Sequence, residues 1–340
     1  MTERRPLAVS VGDPAGVGPE VAARAALELA ETERVLLFGD ARRLERLVQE
    51  GGGRAARVLP EQAARLARGD VGLVDVGPVP DEAVHVRAPS ASGGAAQLAA
   101  LDAAIACVRS GYARALVTGP TSKAAIALAG VSFIGQTEHL ARAAGLADDD
   151  VTMMFLGPRL RVALVTTHVS VRKVADEIRP ERVERAIVHL SQALARLGAG
   201  RDGADCVIVV TGLNPHASEA GLFGNEEAER IEPGVRRGEA RATGGGLRFV
   251  VRGPIAAEAA LRDAAAGRAD GVVAMIHDQA TIASKLVDWG NAANVTWGLP
   301  FVRTSVDHGV AYDAAARGDA SSDGMLAAVR MATELTRGEP

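Results

Sequence analysis

Eight short apolar runs, separated by longer stretches rich in alanine, leucine and arginine, limit most tightly what this chain can fold into. They occupy residues 7–12, 34–40, 71–77, 113–120, 161–168, 206–216, 248–254 and 271–279. In a run such as Cys206-Val207-Ile208-Val209-Val210 the apolar side chains are continuous and do not alternate with polar ones. Continuity fits strands covered on both faces, and strand–helix alternation fits a largely parallel sheet flanked by helices. Helical patterns at 18–31, 93–110, 180–198 and 255–267 supply the covering layers. With 340 residues, the chain has room for about two α/β units of ordinary size.

Composition removes several classes of function. Acidic and basic residues are interspersed around a formal net charge of -4. No basic block or aromatic-basic alternation marks a nucleic-acid or membrane surface. No apolar stretch approaches the ~20 residues of a membrane span. The N-terminal "MTERRP" leads straight into the first run, so a cytoplasmic protein without a signal peptide is expected. Cys107 and Cys206 lie in apolar surroundings and read as buried thiols. The stretches "EGGGRAARV" and "TGGGL" lack the lysine and hydroxyl spacing of a phosphate loop. "GVGPE" (16–20) lacks the G-x-G-x-x-G spacing of a dinucleotide fingerprint.

Three of the runs end in histidine: His168 after "RVALVTT", His216 after "CVIVVTGLNP" and His277 after "GVVAMI". In open parallel sheets, side chains leaving several strands converge at the carboxyl edge, where ligands bind. Three neutral imidazoles would hold a divalent ion and leave positions open for substrate or water. A lone histidine at a strand end more often bonds loop backbone, so a shared metal site and three separate loop residues both stand at this point. Thr166, Thr167, Asn214, Glu219, Asp278 and Gln279 lie beside the three and could orient such ligands. His85, His139 and His189 read as surface or satisfied core residues. Downstream, residues 277–315 gather Asp278, Lys285, Asn294, Arg303, Asp307, His308 and Asp313 around glycines and a Gly-Leu-Pro turn. A lysine and an arginine beside a metal suit an anionic substrate, since arginine can bind phosphate or carboxylate in bidentate fashion.

Taken in order, "VSVGDPAGVGPE", "TGPTSKAAIALAGVSFIGQTEHLA", "TTHVSV", "GLNPHASEAGLFGNEE", "HDQ" and "NVTWGLPFVRTSVDHGVAYDAA" span nearly the whole chain. With these segments the chain resembles the 4-hydroxythreonine-4-phosphate dehydrogenase family, the pyridoxal phosphate biosynthesis enzyme and its paralogues. The resemblance implies an α/β fold similar to isocitrate and isopropylmalate dehydrogenases, with two α/β/α domains and a cleft between them. A dinucleotide-binding domain would take 1–125 plus 290–340, and a metal, substrate and dimerisation domain 126–289. It implies that His168, His216 and His277 ligate one divalent ion per subunit (zinc, cobalt or magnesium). Gln136, Thr137, Lys285, Asn294 and Arg303 fall on or beside substrate-binding positions. His308, Gly309 and Asp313 lie in the loop that receives the adenosine of NAD or NADP. Members are homodimers whose two subunits share each site.

The reaction so implied is an NAD-dependent, metal-dependent oxidation of a secondary alcohol β to a carboxylate, with decarboxylation. Lys285 and Asp278 are the candidates for proton transfer. Two departures bear on the substrate. The family reads Gly-His-Thr-Glu where this chain has Gly135-Gln136-Thr137-Glu138, and Tyr-His-Asp-Gln-Gly where it has Ile276-His277-Asp278-Gln279-Ala280. The candidates are therefore 4-phosphohydroxy-L-threonine, threonate or erythronate 4-phosphate, and a carboxylated cis-dihydrodiol. A hydrolase or lyase that uses a three-histidine metal without dinucleotide is the alternative from another class.

Overall fold

The computed structural model describes residues 4–200 and 204–338. They form two compact units, the first running to Asp148 and resuming at Leu299, the second spanning Asp149–Gly298. In chain order the strands are β1 (Leu7–Ser10), β2 (Val35–Gly39), β3 (Arg54–Arg57), β4 (Asp70–Asp75), β5 (Ala115–Thr118) and β6 (Thr152–Leu156). They continue as β7 (Arg161–Leu164), β8 (Cys206–Thr211), β9 (Phe249–Ile255), β10 (Gly271–Ala274), β11 (Ala293–Trp297) and β12 (Val302–Ser305).

In the first unit the strand order is β3-β4-β2-β1-β5-β12, and every pairing is parallel. β1, β2 and β5 are buried along their whole length, as continuous apolar runs require. Their side chains join Leu101, Ile105 and Leu140 in one core around Phe38. The helix Ala91–Arg109 starts at Ser90, whose hydroxyl accepts from Gly93 N at 3.1 Å. It packs so closely on the helix Lys123–Leu128 that a Cβ on Gly94 would lie 1.9 Å from the Ala125 carbonyl oxygen. By length and composition this helix is apolar enough to cross a membrane, which corrects the expectation that no such stretch exists. Half of its most apolar window is buried, as in a core helix.

In the second unit the order is β11-β6-β7-β10-β8-β9. β7, β10, β8 and β9 run parallel, while β6 is antiparallel to both β7 and β11. Phe155, Val162, Val209 and Val272 form its core together with Ala260 and Ala264 of the helix Ala257–Ala265. Each of the eight apolar runs overlaps a strand, and β3, β6, β11 and β12 are additional.

The unit boundaries fall at 148 and 298, not at 125 and 290. Residues 126–148 stay with the first unit because Ile126 and Leu140 are fully buried and Leu140 joins its core. Strand β11 stays with the second because it pairs with β6 from Ala293↔Leu156 to Trp297↔Thr152. Cys107 and Cys206 are the buried free thiols expected, and burial pushes both up to about 12.

Candidate active site

In the second unit the three histidines leave neighbouring parallel strands, β7, β10 and β8, from the same edge. Beyond β7 and β10 the backbones stay joined. Val165 N donates to Ala274 O at 2.9 Å, and Thr166 donates to Met275 O through both N (3.2 Å) and Oγ1 (2.7 Å). This tie brings the rings of His168 and His277 to 5.5 Å, centroid to centroid. His277 opens the helix His277–Val287, and its Nδ1 lies 2.9 Å from Asp278 Oδ1. A carboxylate on Nδ1 leaves Nε2 as the nitrogen able to ligate.

Gln279 fastens the same edge. Its Oε1 accepts from Met275 N (3.0 Å) and from Thr211 Oγ1 (3.0 Å), and its Nε2 donates to Gly212 O (3.1 Å). One side chain thereby joins the ends of β8 and β10.

His216 sits differently. Residues His216 to Ala220 all have φ between 47° and 70°, a left-handed run that costs roughly 1–2 kcal/mol per residue. The buried carboxylate of Glu227 anchors the approach to this run, accepting from Leu213 N (2.8 Å), Asn214 N (2.7 Å) and Asn214 Nδ2 (2.9 Å). Among the described residues no group of three or more His, Cys, Asp or Glu side chains is placed to hold an ion. One chain thus pairs His168 with His277, and His216 does not complete the set.

Along the helix His277–Val287, Asp278, Ile282, Lys285 and Leu286 fall on one face by helical spacing, and Trp289 follows two residues past its end. Ile282, Leu286 and Trp289 are 59%, 82% and 77% exposed. On β11 the Asn294 Oδ1 atom is buried with no hydrogen-bond partner. Such an atom costs about 1–3 kcal/mol unless a ligand satisfies it.

In the first unit Arg303, on β12, is 3% exposed. Its Nη2 donates to Thr118 Oγ1 at 2.7 Å and to Gln136 Oε1. Burial pulls the guanidinium down to about 9, against the opposing field of Glu138. Gln136 opens the helix Gln136–Ala143, and part-buried Thr137 is in its first turn.

The segment holding His308 and Gly309, which leads into the helix Tyr312–Arg317 carrying Asp313, docks on the turn before the helix Gly18–Leu29. Val17 N donates to Val310 O (3.0 Å), and a Cβ on Gly16 would sit 2.2 Å from Val310 Cγ1. Tyr312 OH donates to Asp13 Oδ2 (2.9 Å), and burial raises the Asp13 carboxyl above its ordinary value. Asp13 also accepts from Ala15 N and Gln97 Nε2. His308, Gly309 and Asp313 are exposed. The Ala314 N–H, followed by Arg317, holds the Asp313 carboxyl below the usual range.

Sequence reasoning missed Thr118, Glu227 and Asp13. Nothing in their spacing distinguishes them from ordinary loop and strand-end residues. Each acts by fixing another residue.

Residues 31–332 match the family model of the pyridoxal phosphate biosynthetic protein PdxA. A D-threonate 4-phosphate dehydrogenase of Bordetella bronchiseptica is 37% identical, over 98% of this chain and 93% of the relative. A 4-hydroxythreonine-4-phosphate dehydrogenase of Zymomonas mobilis is 34% identical, over 96% and 95%. The crystal structure of a 4-hydroxythreonine-4-phosphate dehydrogenase from Burkholderia phymatum superposes with a TM-score of 0.80 at 36% identity, covering 98% and 99% of the two chains.

Proposed function

Since this chain belongs to the PdxA family of dehydrogenases, we propose that it oxidises a 4-phosphorylated 3-hydroxy acid, with a nicotinamide dinucleotide as acceptor and a divalent ion as aid. D-Threonate 4-phosphate is the first candidate and 4-phosphohydroxy-L-threonine the second, after the substrates named for the 37% and 34% relatives. The observation that carries the reading is the His168–His277 pair at the carboxyl edge of β7 and β10, with Asp278 on His277 Nδ1.

Two imidazoles, one oriented by a carboxylate, suit zinc or cobalt but make an incomplete set. We assign the third position to His216 of a second copy of the chain. The exposed stripe of Ile282, Leu286 and Trp289, on the face that also carries Lys285, supports a homodimer formed near the site.

When bound, the ion supplies acidification of the substrate hydroxyl and the dinucleotide supplies a hydride acceptor. The remaining work falls to the chain. The dry guanidinium of Arg303 takes an anionic group of the substrate. Asn294 Oδ1 accepts from a substrate donor, and Lys285 adds a positive charge. Asp278 keeps the Nδ1 proton on His277. Asp278, at 75% side-chain exposure, and Lys285 are the candidates to pass the alcohol proton to solvent and to protonate the carbon left after carbon dioxide departs. Asp313, an exposed carboxylate, suits a ribose hydroxyl better than a 2′-phosphate, which favours NAD over NADP.

Elemental analysis of dialysed protein tests the reading without relying on turnover. About one divalent ion per chain is expected in the wild type, and substoichiometric metal in His168→Ala and His277→Ala. Full metal content in either variant would remove that histidine from the site.

A further inference from the structure

The carboxamide of Gln136 has every hydrogen-bonding position filled by protein. Its Oε1 accepts from Arg303 Nη2 and from Thr118 Oγ1 at 2.6 Å. Its Nε2 donates to Gly119 O at 2.9 Å and to Thr121 Oγ1 at 3.1 Å. A carboxamide has two acceptor lone pairs and two N–H donors, so none is left over. The orientation is also fixed. Flipping the amide would turn its NH2 against the guanidinium and its oxygen against the Gly119 carbonyl. Thr118 closes the ring of contacts, accepting from Arg303 while donating to Gln136, and it is itself 0% exposed.

We propose that Gln136 is a positioning residue that fixes the guanidinium of Arg303 toward the substrate anion, and that it does not itself touch substrate. This rests on the reading of Arg303 as the anion site. An imidazole at position 136 could not substitute. Neutral, it has one donor and one acceptor; protonated, it has no acceptor and repels the guanidinium. Gln136, together with Thr118, therefore accounts for how the Nη2 end of this buried guanidinium is held still.

A double-mutant cycle read by calorimetry decides between positioning and direct contact, with D-threonate 4-phosphate as the titrant. Gln136→Met keeps the side-chain length and removes all four hydrogen bonds. Thr118→Val removes the hydroxyl from a residue too buried to reach any ligand. Each single change is expected to weaken binding about tenfold, the scale of a lost hydrogen bond to a charged group. In an Arg303→Met background both effects should fall to less than about twofold, because the group being positioned is gone. Equal weakening by Gln136→Met in the two backgrounds would show direct contact and overturn the proposal. Should Gln136→Met fail to fold, the Thr118→Val cycle carries the same test. An affinity unchanged by Arg303→Met alone would instead sink the reading of Arg303, which is a separate failure.

Discussion

Replacing Asp278 with asparagine tests whether His277 is a ligand oriented by its neighbour. In the folded chain His277 Nδ1 and Asp278 Oδ1 are 2.9 Å apart, and the carboxylate is 75% exposed. Asparagine keeps an acceptor oxygen at nearly the same place but removes the charge. Hydrogen bonds to charged groups contribute about 1.5–3 kcal/mol and neutral ones about 1. Exposure to water places this pair at the low end of that difference, so a loss of about 1 kcal/mol is expected. That corresponds to roughly fivefold weaker metal binding. Asp278→Ala, which leaves only water on Nδ1, should lie nearer the 10–100-fold range seen when partners of metal ligands are removed. His277→Ala should exceed both. The assay is competition for zinc against a chromophoric chelator at neutral pH, with no turnover required. Affinities of Asp278→Asn and Asp278→Ala within twofold of wild type would refute the orienting role. Wild-type affinity in His277→Ala would refute the ligand.

Three more outcomes are expected. Mixing inactive His216→Ala with inactive His277→Ala should recover roughly a quarter of wild-type activity after subunit exchange in a two-fold dimer. His168→Ala mixed with His277→Ala should recover none, because that pair comes from one chain; the opposite pattern would reassign the ligands. Leu286→Glu combined with Trp289→Lys should shift the protein from dimer to monomer in sedimentation velocity, and an unchanged dimer would place the interface elsewhere. Burial, with Arg185 nearby, pulls His189 from 6.5 down to about 4. The unfolded chain therefore binds the extra proton first, and stability present above about pH 6.5 is lost as pH falls toward 4, by up to about 3 kcal/mol. Relative to His189→Gln, which cannot take up the proton, the urea midpoint of wild type should fall progressively between about pH 6.5 and pH 4; parallel curves would contradict this.

The buried strands were legible because a strand covered on both faces has to be continuously apolar, as β1, β2, β5 and β10 are. β3 escaped because Arg54-Ala55-Ala56-Arg57 is a short, half-exposed edge strand with no apolar signal. β6 escaped because the hairpin it forms with β7 is a local antiparallel pairing inside a largely parallel pattern. β11 and β12 were hidden by the polar residues Asn294 and Arg303, which drew attention as chemistry and obscured the strands carrying them. His168 and His277 were found by position at strand ends, and the strand pairing explains their proximity. The left-handed run at His216–Ala220 was not legible, since it contains no glycine to announce it. Gln136 stood out only as a departure from the family pattern. That its amide is spent on Arg303 depends on the end of β5, strand β12 and the start of the helix Gln136–Ala143 meeting, which spacing along the chain does not encode.

Absorbance at the reduced-nicotinamide band tests the central claim most directly. Purified protein would be mixed with NAD, a divalent metal and D-threonate 4-phosphate or 4-phosphohydroxy-L-threonine, with carbon dioxide measured in parallel. The account predicts reduced nicotinamide and carbon dioxide in equal amounts, activity lost on chelation and restored by zinc or cobalt. It predicts that D-threonate 4-phosphate has the higher kcat/KM. Absence of reduced nicotinamide with both substrates, from protein shown to be folded and metal-loaded, would contradict it.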